Sequence, residues 1–180
     1  DRQIVTRSEK VGSCLEGIAL RGDYIYVCNA YNSDYTYNTN VVKLRASDLQ
    51  KVADIEVPCN PTALRVSGDN LYVLSTGNYA DVKSQVSRID KSDNVTYLCD
   101  ATLFDVLNDV IVGINSVTDW TTYETKTSYF TYSKDGKLAE FKPAVTIPSP
   151  CSVAIDPNNG YILIGSYKLN DKGTPDYSAP

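Results

Sequence analysis

Cys14-Leu-Glu-Gly-Ile-Ala-Leu-Arg-Gly-Asp-Tyr-Ile-Tyr-Val27 reads as two short strands around a tight turn. Aliphatic and aromatic residues crowd both halves, and Arg21-Gly-Asp supplies the turn between them. The same sentence returns three times. It runs from Cys59-Asn-Pro-Thr-Ala-Leu64 to Leu71-Tyr-Val-Leu74, from Cys99-Asp-Ala-Thr-Leu-Phe104 to Val110-Ile-Val-Gly113, and from Cys151-Ser-Val-Ala-Ile155 to Tyr161-Ile-Leu-Ile164. Anchored on Tyr26, Tyr72, Ile111 and Ile162, the spacings are 46, 39 and 51 residues. Their mean, about 45, is the period of a four-stranded propeller blade.

A second pair of strands completes each of the first three repeats. Third strands are predicted at Asn40 to Arg45, Gln85 to Asp90 and Tyr129 to Ser133, and fourth strands at Lys51 to Val57, Val95 to Leu98 and Leu138 to Val145. Between them Asp48, Asp93 and Asp135 fall in turns, because an Asp side chain readily bonds its own turn backbone. No segment sustains a 3.6-residue apolar period, and Phe104-Asp-Val-Leu-Asn-Asp-Val110 reads as strand, turn, strand. The expected fold is therefore all-β: a β-propeller with about four blades of four-stranded antiparallel sheet in this chain. Residues 1–9 are the last strand of a preceding blade (Gln3 to Glu9), residues 10–57, 58–98 and 99–147 are blades, and residues 148–180 are the first half of another. That count points to a segment of a larger ring. A four-bladed ring lacking one strand is the alternative, but it would leave an edge unpaired.

Composition removes several classes of function. With 17 Lys and Arg against 22 Asp and Glu the net charge is −5, which opposes nucleic-acid binding. No apolar run is long enough for a membrane helix. The chain has no His, which removes Ser-His-Asp and Cys-His catalysis and most zinc chemistry. It has no Met, so Asp1 is expected to follow a cleavage or to mark a boundary within a longer protein.

Gly17-Ile-Ala-Leu-Arg-Gly-Asp-Tyr-Ile-Tyr-Val-Cys-Asn29 and Val73-Leu-Ser-Thr-Gly-Asn-Tyr-Ala-Asp81 resemble the YncE-like propellers of Bacteroidota. The resemblance spans Gln3 to Tyr177. It implies a segment of a seven- or eight-bladed ring, exported and held at the outer-membrane surface or in the periplasm of a Gram-negative bacterium, often as a lipoprotein. Most of that family is of unknown function. One branch captures cobalamin beside an outer-membrane TonB-dependent transporter, so the resemblance implies a cobalamin-like or tetrapyrrole-like ligand and such a transporter as partner. The remaining blades of the same propeller are a further expected partner.

Strand order sorts the connections. Turns between first and second strands and between third and fourth strands share one face, and they are short. Second-to-third connections share the other face: Ala30 to Thr39, Gly77 to Ser84, Val117 to Ser128, and Tyr167 onward. These four stretches hold half of the 14 Tyr and the single Trp. Long connections on a stiff scaffold carry function, and Tyr and Trp give broad contact with a polar handle. The expected ligand-binding residues are Tyr31, Tyr35, Tyr79, Trp120, Tyr123, Tyr167 and Asn29. The competing reading is that the aromatics staple the loops together. Asn29, Thr76 and Asn115 stand at the loop mouths, where capping their own backbone competes with facing a ligand.

Cys14, Cys59, Cys99 and Cys151 recur with the repeat, at the start of each inner strand, and Cys28 is expected in the core. Three readings stay open for the four: small buried residues, disulfides between neighbouring blades, and a thiolate metal site. Glu16, Asp100 and Asp105 are the only acidic residues near the blade openings, with Asp105 expected as a solvated carboxylate facing the channel. No catalytic residue, metal site or cofactor is expected. A non-enzymatic small-molecule binder comes first, a protein- or glycan-interaction scaffold second, and a lactonase-like or quinoprotein-like enzyme last.

Overall fold

The computed structural model describes residues 4–177. Every regular element among them is a β-strand, and no helix occurs among the described residues. The chain divides into two compact units, residues 1–100 and 101–180.

The first unit contains two four-stranded antiparallel meanders. Strands β1 (Cys14–Arg21), β2 (Tyr24–Tyr31), β3 (Tyr37–Arg45) and β4 (Lys51–Glu56) pair in that order, and β5 (Pro61–Ser67), β6 (Asn70–Ser75), β7 (Gln85–Ile89) and β8 (Val95–Asp100) repeat the pattern. Alternation along each strand sends one set of side chains to each face. Tyr26, Cys28, Val41, Ile55 and Val57 of the first sheet meet Leu64, Leu71, Val73 and Ile89 of the second in one buried cluster. Val27, Val42 and Leu44 point the other way, where Val11 and Ile25 pack on them. The first strands of the two sheets, β1 and β5, lie so close that a Cβ on Gly17 would sit 2.8 Å from the Cα of Ala63. Only glycine fits there, at a bulge between Leu15 and Ile18.

The second unit holds a third meander of β9 (Leu103–Leu107), β10 (Val110–Asp119), β11 (Glu124–Tyr132) and β12 (Leu138–Phe141), and a two-stranded sheet of β13 (Pro150–Ile155) and β14 (Ile162–Ser166). Asn108 and Asp109 both adopt positive φ between β9 and β10, as a two-residue hairpin turn requires. Val112, Ile114 and Val153 form this unit's buried cluster, with Phe141, Tyr129 and Ile164 packed around it.

Ile18, Leu64, Leu103 and Val153 all fall in the first strands of their sheets, and residues 104–110 form strand, turn and strand as their sequence predicts. Four details differ. Residues 4–12 form no strand, since an edge strand exists only against a partner ladder and they have none among the described residues (Gln3 lies outside them). The fourth strand of the third repeat ends at Phe141, because Pro143 lacks an N–H for the ladder. Cys99 belongs to β8, the last strand of the second sheet, and Cys59 to the turn before β5, so the four cysteines are not equivalent. Finally, residues 117–128 are not a long loop. They continue β10 and β11 as a hairpin arm, held by hydroxyl pairs Ser116–Thr127 at 3.0 Å and Thr118–Thr125 at 2.9 Å. A run rich in Thr looks like loop on a hydropathy scale, yet cross-strand Thr pairs stabilise an exposed ladder.

Candidate functional site

The second-to-third connections are built on tight hydrogen-bonded turns. Between β2 and β3, the Asn32 N–H donates to the Thr36 carbonyl (2.9 Å) and the Tyr35 N–H to the Asn32 carbonyl (3.0 Å). Asp34 accepts from the Thr36 hydroxyl (2.7 Å) and N–H (3.1 Å), which holds its carboxyl below the ordinary 3.8. Between β6 and β7, the Asn78 side chain accepts from the N–H groups of Ala80 and Val82 and donates to Asp81 at 2.8 Å, lowering the Asp81 pKa. At the tip of the β10–β11 arm, Asp119 accepts from the N–H groups of Thr121 and Thr122, and these bonds lower its pKa too.

Each of these three turns carries a tyrosine in the left-handed backbone region: Tyr35 at φ 64°, Tyr79 at 58° and Tyr123 at 58°. A bulky side chain is uncommon there, because its Cβ crowds the following carbonyl, at a cost of about 1–2 kcal/mol. Burial does not repay that cost. Tyr35 is 85% exposed, Tyr79 65%, Tyr123 78%, and Trp120 on the same tip 70%.

In the first unit three rings come together. Tyr31 and Tyr37 face each other across the strand pair with centroids 5.4 Å apart, and Tyr37 lies 6.4 Å from Tyr79. Partial burial raises the Tyr79 pKa, with the nearby Tyr31 hydroxyl adding to it. Beneath them Asn60 is fully buried at φ 62°. Its side-chain N–H2 donates to the Tyr31 hydroxyl (3.3 Å) and the Gly77 carbonyl (3.2 Å), and its backbone bonds Asn38 and Thr76. Asn60 thus ties the β2–β3 and β6–β7 connections into one surface.

The expected site residues therefore separate into groups. Tyr31 and Tyr79 share the cluster, together with Tyr37, which the sequence reading placed in a loop and did not select. Tyr35 stands on its own turn. Trp120 and Tyr123 share the arm tip in the second unit, where Tyr167 instead packs edge-on against Tyr177 at 4.8 Å, as a loop staple does. Asn29 does not belong with the tyrosines: its side chain lies against Gly12 and donates to Asn40 at 3.1 Å, whereas Tyr31 bonds Asn60. Thr76 bonds the Asn60 carbonyl through its N–H and pairs with Thr62 at 2.9 Å, and Asn115 stands opposite Ser128 within the arm.

The opposite end of β2 holds a constellation the sequence reading missed. The Lys43 ammonium lies 2.6 Å from Asp93, and Arg21 donates to Asp93 (3.4 Å), the Ile89 carbonyl (2.7 Å) and the Tyr26 hydroxyl (2.6 Å). Arg21 stacks 4.6 Å from the Tyr26 ring and Lys43 4.5 Å from that of Tyr24. Burial opposes the charge on Lys43, but the bond to Asp93 and the neighbouring Tyr26 outweigh it and raise its pKa. By its sequence Asp93 is a turn residue, and nothing in the local sequence signals its partners 72 and 50 residues away.

Asp105 is not a channel carboxylate. It accepts the Ile155 N–H at 2.8 Å and so ties β9 to β13, which lie side by side. Among the described residues no group of three or more Cys, Asp or Glu is placed to hold a metal. All five cysteines are free thiols. Cys28 and Cys99 are buried, which pushes their pKa up to about 12, while Cys14 and Cys151 are exposed and do not fit the small-core reading. An apolar groove of about 400 Å³ runs between Phe141, Val145, Ile147, Ile162 and Ile164, and none of the expected site tyrosines lines it, although Ser166 beside Tyr167 does.

No family model matches this chain, and no curated protein matches it.

Proposed function

We propose that this chain is a segment of an exported, non-enzymatic β-propeller that works by binding a partner through the tyrosine-bearing tips of its second-to-third connections. The repeated meanders and their 45-residue period support the propeller. The observation that carries the binding reading is that Tyr35, Tyr79 and Tyr123 occupy a left-handed backbone while exposed to solvent. Strain of that kind accumulates where a side chain is needed for contact rather than for the fold. These side chains are exposed rather than set in a pocket, whereas sites for small molecules are concave, so a macromolecular partner fits them best, and a surface transporter is one such partner suggested by the YncE-like resemblance. A flat small molecule of the tetrapyrrole type is the second reading, favoured by the contiguous rings of Tyr31, Tyr37 and Tyr79.

The test replaces Tyr35, Tyr79 and Tyr123 by glycine together. The variant should melt at or above the temperature of the parent, since glycine relieves the backbone, and should lose retention of outer-membrane proteins or cobalamin that the parent holds. A melting temperature lowered by several degrees would make the tyrosines loop staples and end this reading.

A further inference from the structure

We infer that the loop end of residues 1–100 receives a positively charged side chain of a basic protein partner, seated on the rings of Tyr31, Tyr37 and Tyr79 within reach of the Glu16 carboxylate. The inference rests on reading these loops as a binding surface, and it names the chemistry of the partner.

The two ends of one sheet pair carry it. At the turn end, the faces of Tyr24 and Tyr26 are occupied by Lys43 and Arg21, and Asp93 completes both cations. A ring face is electron-rich, so a cation over it beside a carboxylate is attracted twice. The chain supplies all three ingredients there from its own residues. At the loop end it supplies two. Tyr31, Tyr37 and Tyr79 form a contiguous aromatic surface, and the Glu16 charge adds the smallest share to the raised pKa of Tyr79, after burial and the Tyr31 and Tyr37 hydroxyls. Asp34 and Asp81 add negative charge on the adjoining turns. The cation of the β6–β7 connection, Lys83, lies 3.8 Å from Asp100. Among the described residues no Lys or Arg lies over these three rings, in contrast to Tyr24 and Tyr26. An acidic partner would meet Glu16, Asp34 and Asp81 as like charges. A Lys or Arg would lay its aliphatic stem along the rings and its head at the carboxylate.

The probe is a ten-residue peptide of alternating Arg and Gly, set against the same peptide with each Arg replaced by neutral, nearly isosteric citrulline. Binding is followed by amide chemical shifts and calorimetry at low and at high salt. The Arg peptide should bind about tenfold more tightly than the citrulline peptide, move the amides of residues 31, 37 and 79, and weaken as salt screens the charge. Tyr37→Leu and Glu16→Gln should each weaken it several-fold at an unchanged melting temperature. Tyr79→Asn, which suits the left-handed backbone, repeats the ring test should Tyr37→Leu disturb β3. Equal binding of the two peptides, binding by neither, shifts elsewhere on the surface, or binding that ignores the ring variants and follows net charge alone would each overturn the inference. The broader reading fails separately, by the melting temperature of the glycine variant.

Discussion

Asn32-Ser-Asp-Tyr-Thr36 and Asn170-Asp-Lys-Gly-Thr174 are the same turn built twice. In each the first N–H donates to the fifth carbonyl (2.9 and 2.8 Å), and the fourth N–H to the first carbonyl (3.0 and 2.9 Å). In each the Asn side chain donates to the Thr hydroxyl. The fourth residue must take a left-handed backbone, and it is Tyr35 in one and Gly173 in the other. Two more copies close the β7–β8 and β11–β12 hairpins, with Asp93 and Gly136 at that position. Glycine is the residue the geometry prefers. Where it is replaced by aspartate, the side chain bonds two partly buried cations. Where it is replaced by tyrosine, the side chain points to solvent. Asp93 thus serves the fold, whereas Tyr35, on the reading proposed above, serves a partner.

The largest effect should come from Asp93→Gly, which keeps the turn but takes the carboxylate from Arg21 and leaves Lys43 without its ion-pair partner. A loss of about 1–3 kcal/mol is expected, reduced from the full cost of a buried pair because Asp93 is partly exposed, and denaturant unfolding measures it. Next, Gly173→Tyr imposes on the fourth turn the backbone that the first tolerates, and should cost about 1 kcal/mol by the same measurement. No loss would mean that this turn accepts a side chain freely, and Tyr35 would then need no special reason. The converse change, Tyr35→Gly, should raise stability by roughly 0.5 kcal/mol, because relief of strain exceeds the entropy glycine adds to the unfolded chain. A fall instead would show that Tyr35 supports the fold.

The smallest effect is set by pH. Asp34 is bonded in the folded turn, so its folded pKa lies below the unfolded one. Its contribution is therefore complete above the ordinary value of 3.8 and lost as pH falls through the folded value. Hydrogen exchange at the Thr36 amide, corrected for its intrinsic rate, should show weakened protection below that range, while the Thr174 amide, which donates to the neutral side chain of Asn170, keeps its own. Equal behaviour of the two turns would remove Asp34 from the account.

Much of this architecture was legible because its causes are local. Tyr24-Ile-Tyr-Val27 and Leu71-Tyr-Val-Leu74 announce strands by residue type, and Arg21-Gly-Asp23 and Asn108-Asp109 announce hairpins by their tolerance of unusual φ. The arm at residues 115–128 was not legible, since Ser116, Thr118, Thr125 and Thr127 become a ladder only when their hydroxyls meet across the strands. Tyr35 was selected for its type and its loop. Its strained backbone could have been suspected from the shared Asn-x-x-x-Thr frame, with Gly at the corresponding place in Asn170 to Thr174.

The sequence by itself determined the strands, their antiparallel order and the crowding of aromatic residues into the second-to-third connections, because hydrophobic alternation and turn chemistry act between near neighbours. The tertiary structure decided which of those aromatics meet. It gathered Tyr31, Tyr37 and Tyr79 over the buried Asn60, set Asn29 against Gly12 and Asn40, paired Tyr167 with Tyr177, and brought Arg21 and Lys43 to Asp93. The meeting of Tyr37 with Tyr79, of Tyr31 with Asn60, and of Arg21 and Lys43 with Asp93 depends on how one sheet packs on the next. That packing is set by close fits such as Gly17 against Ala63, between residues the local chain does not connect.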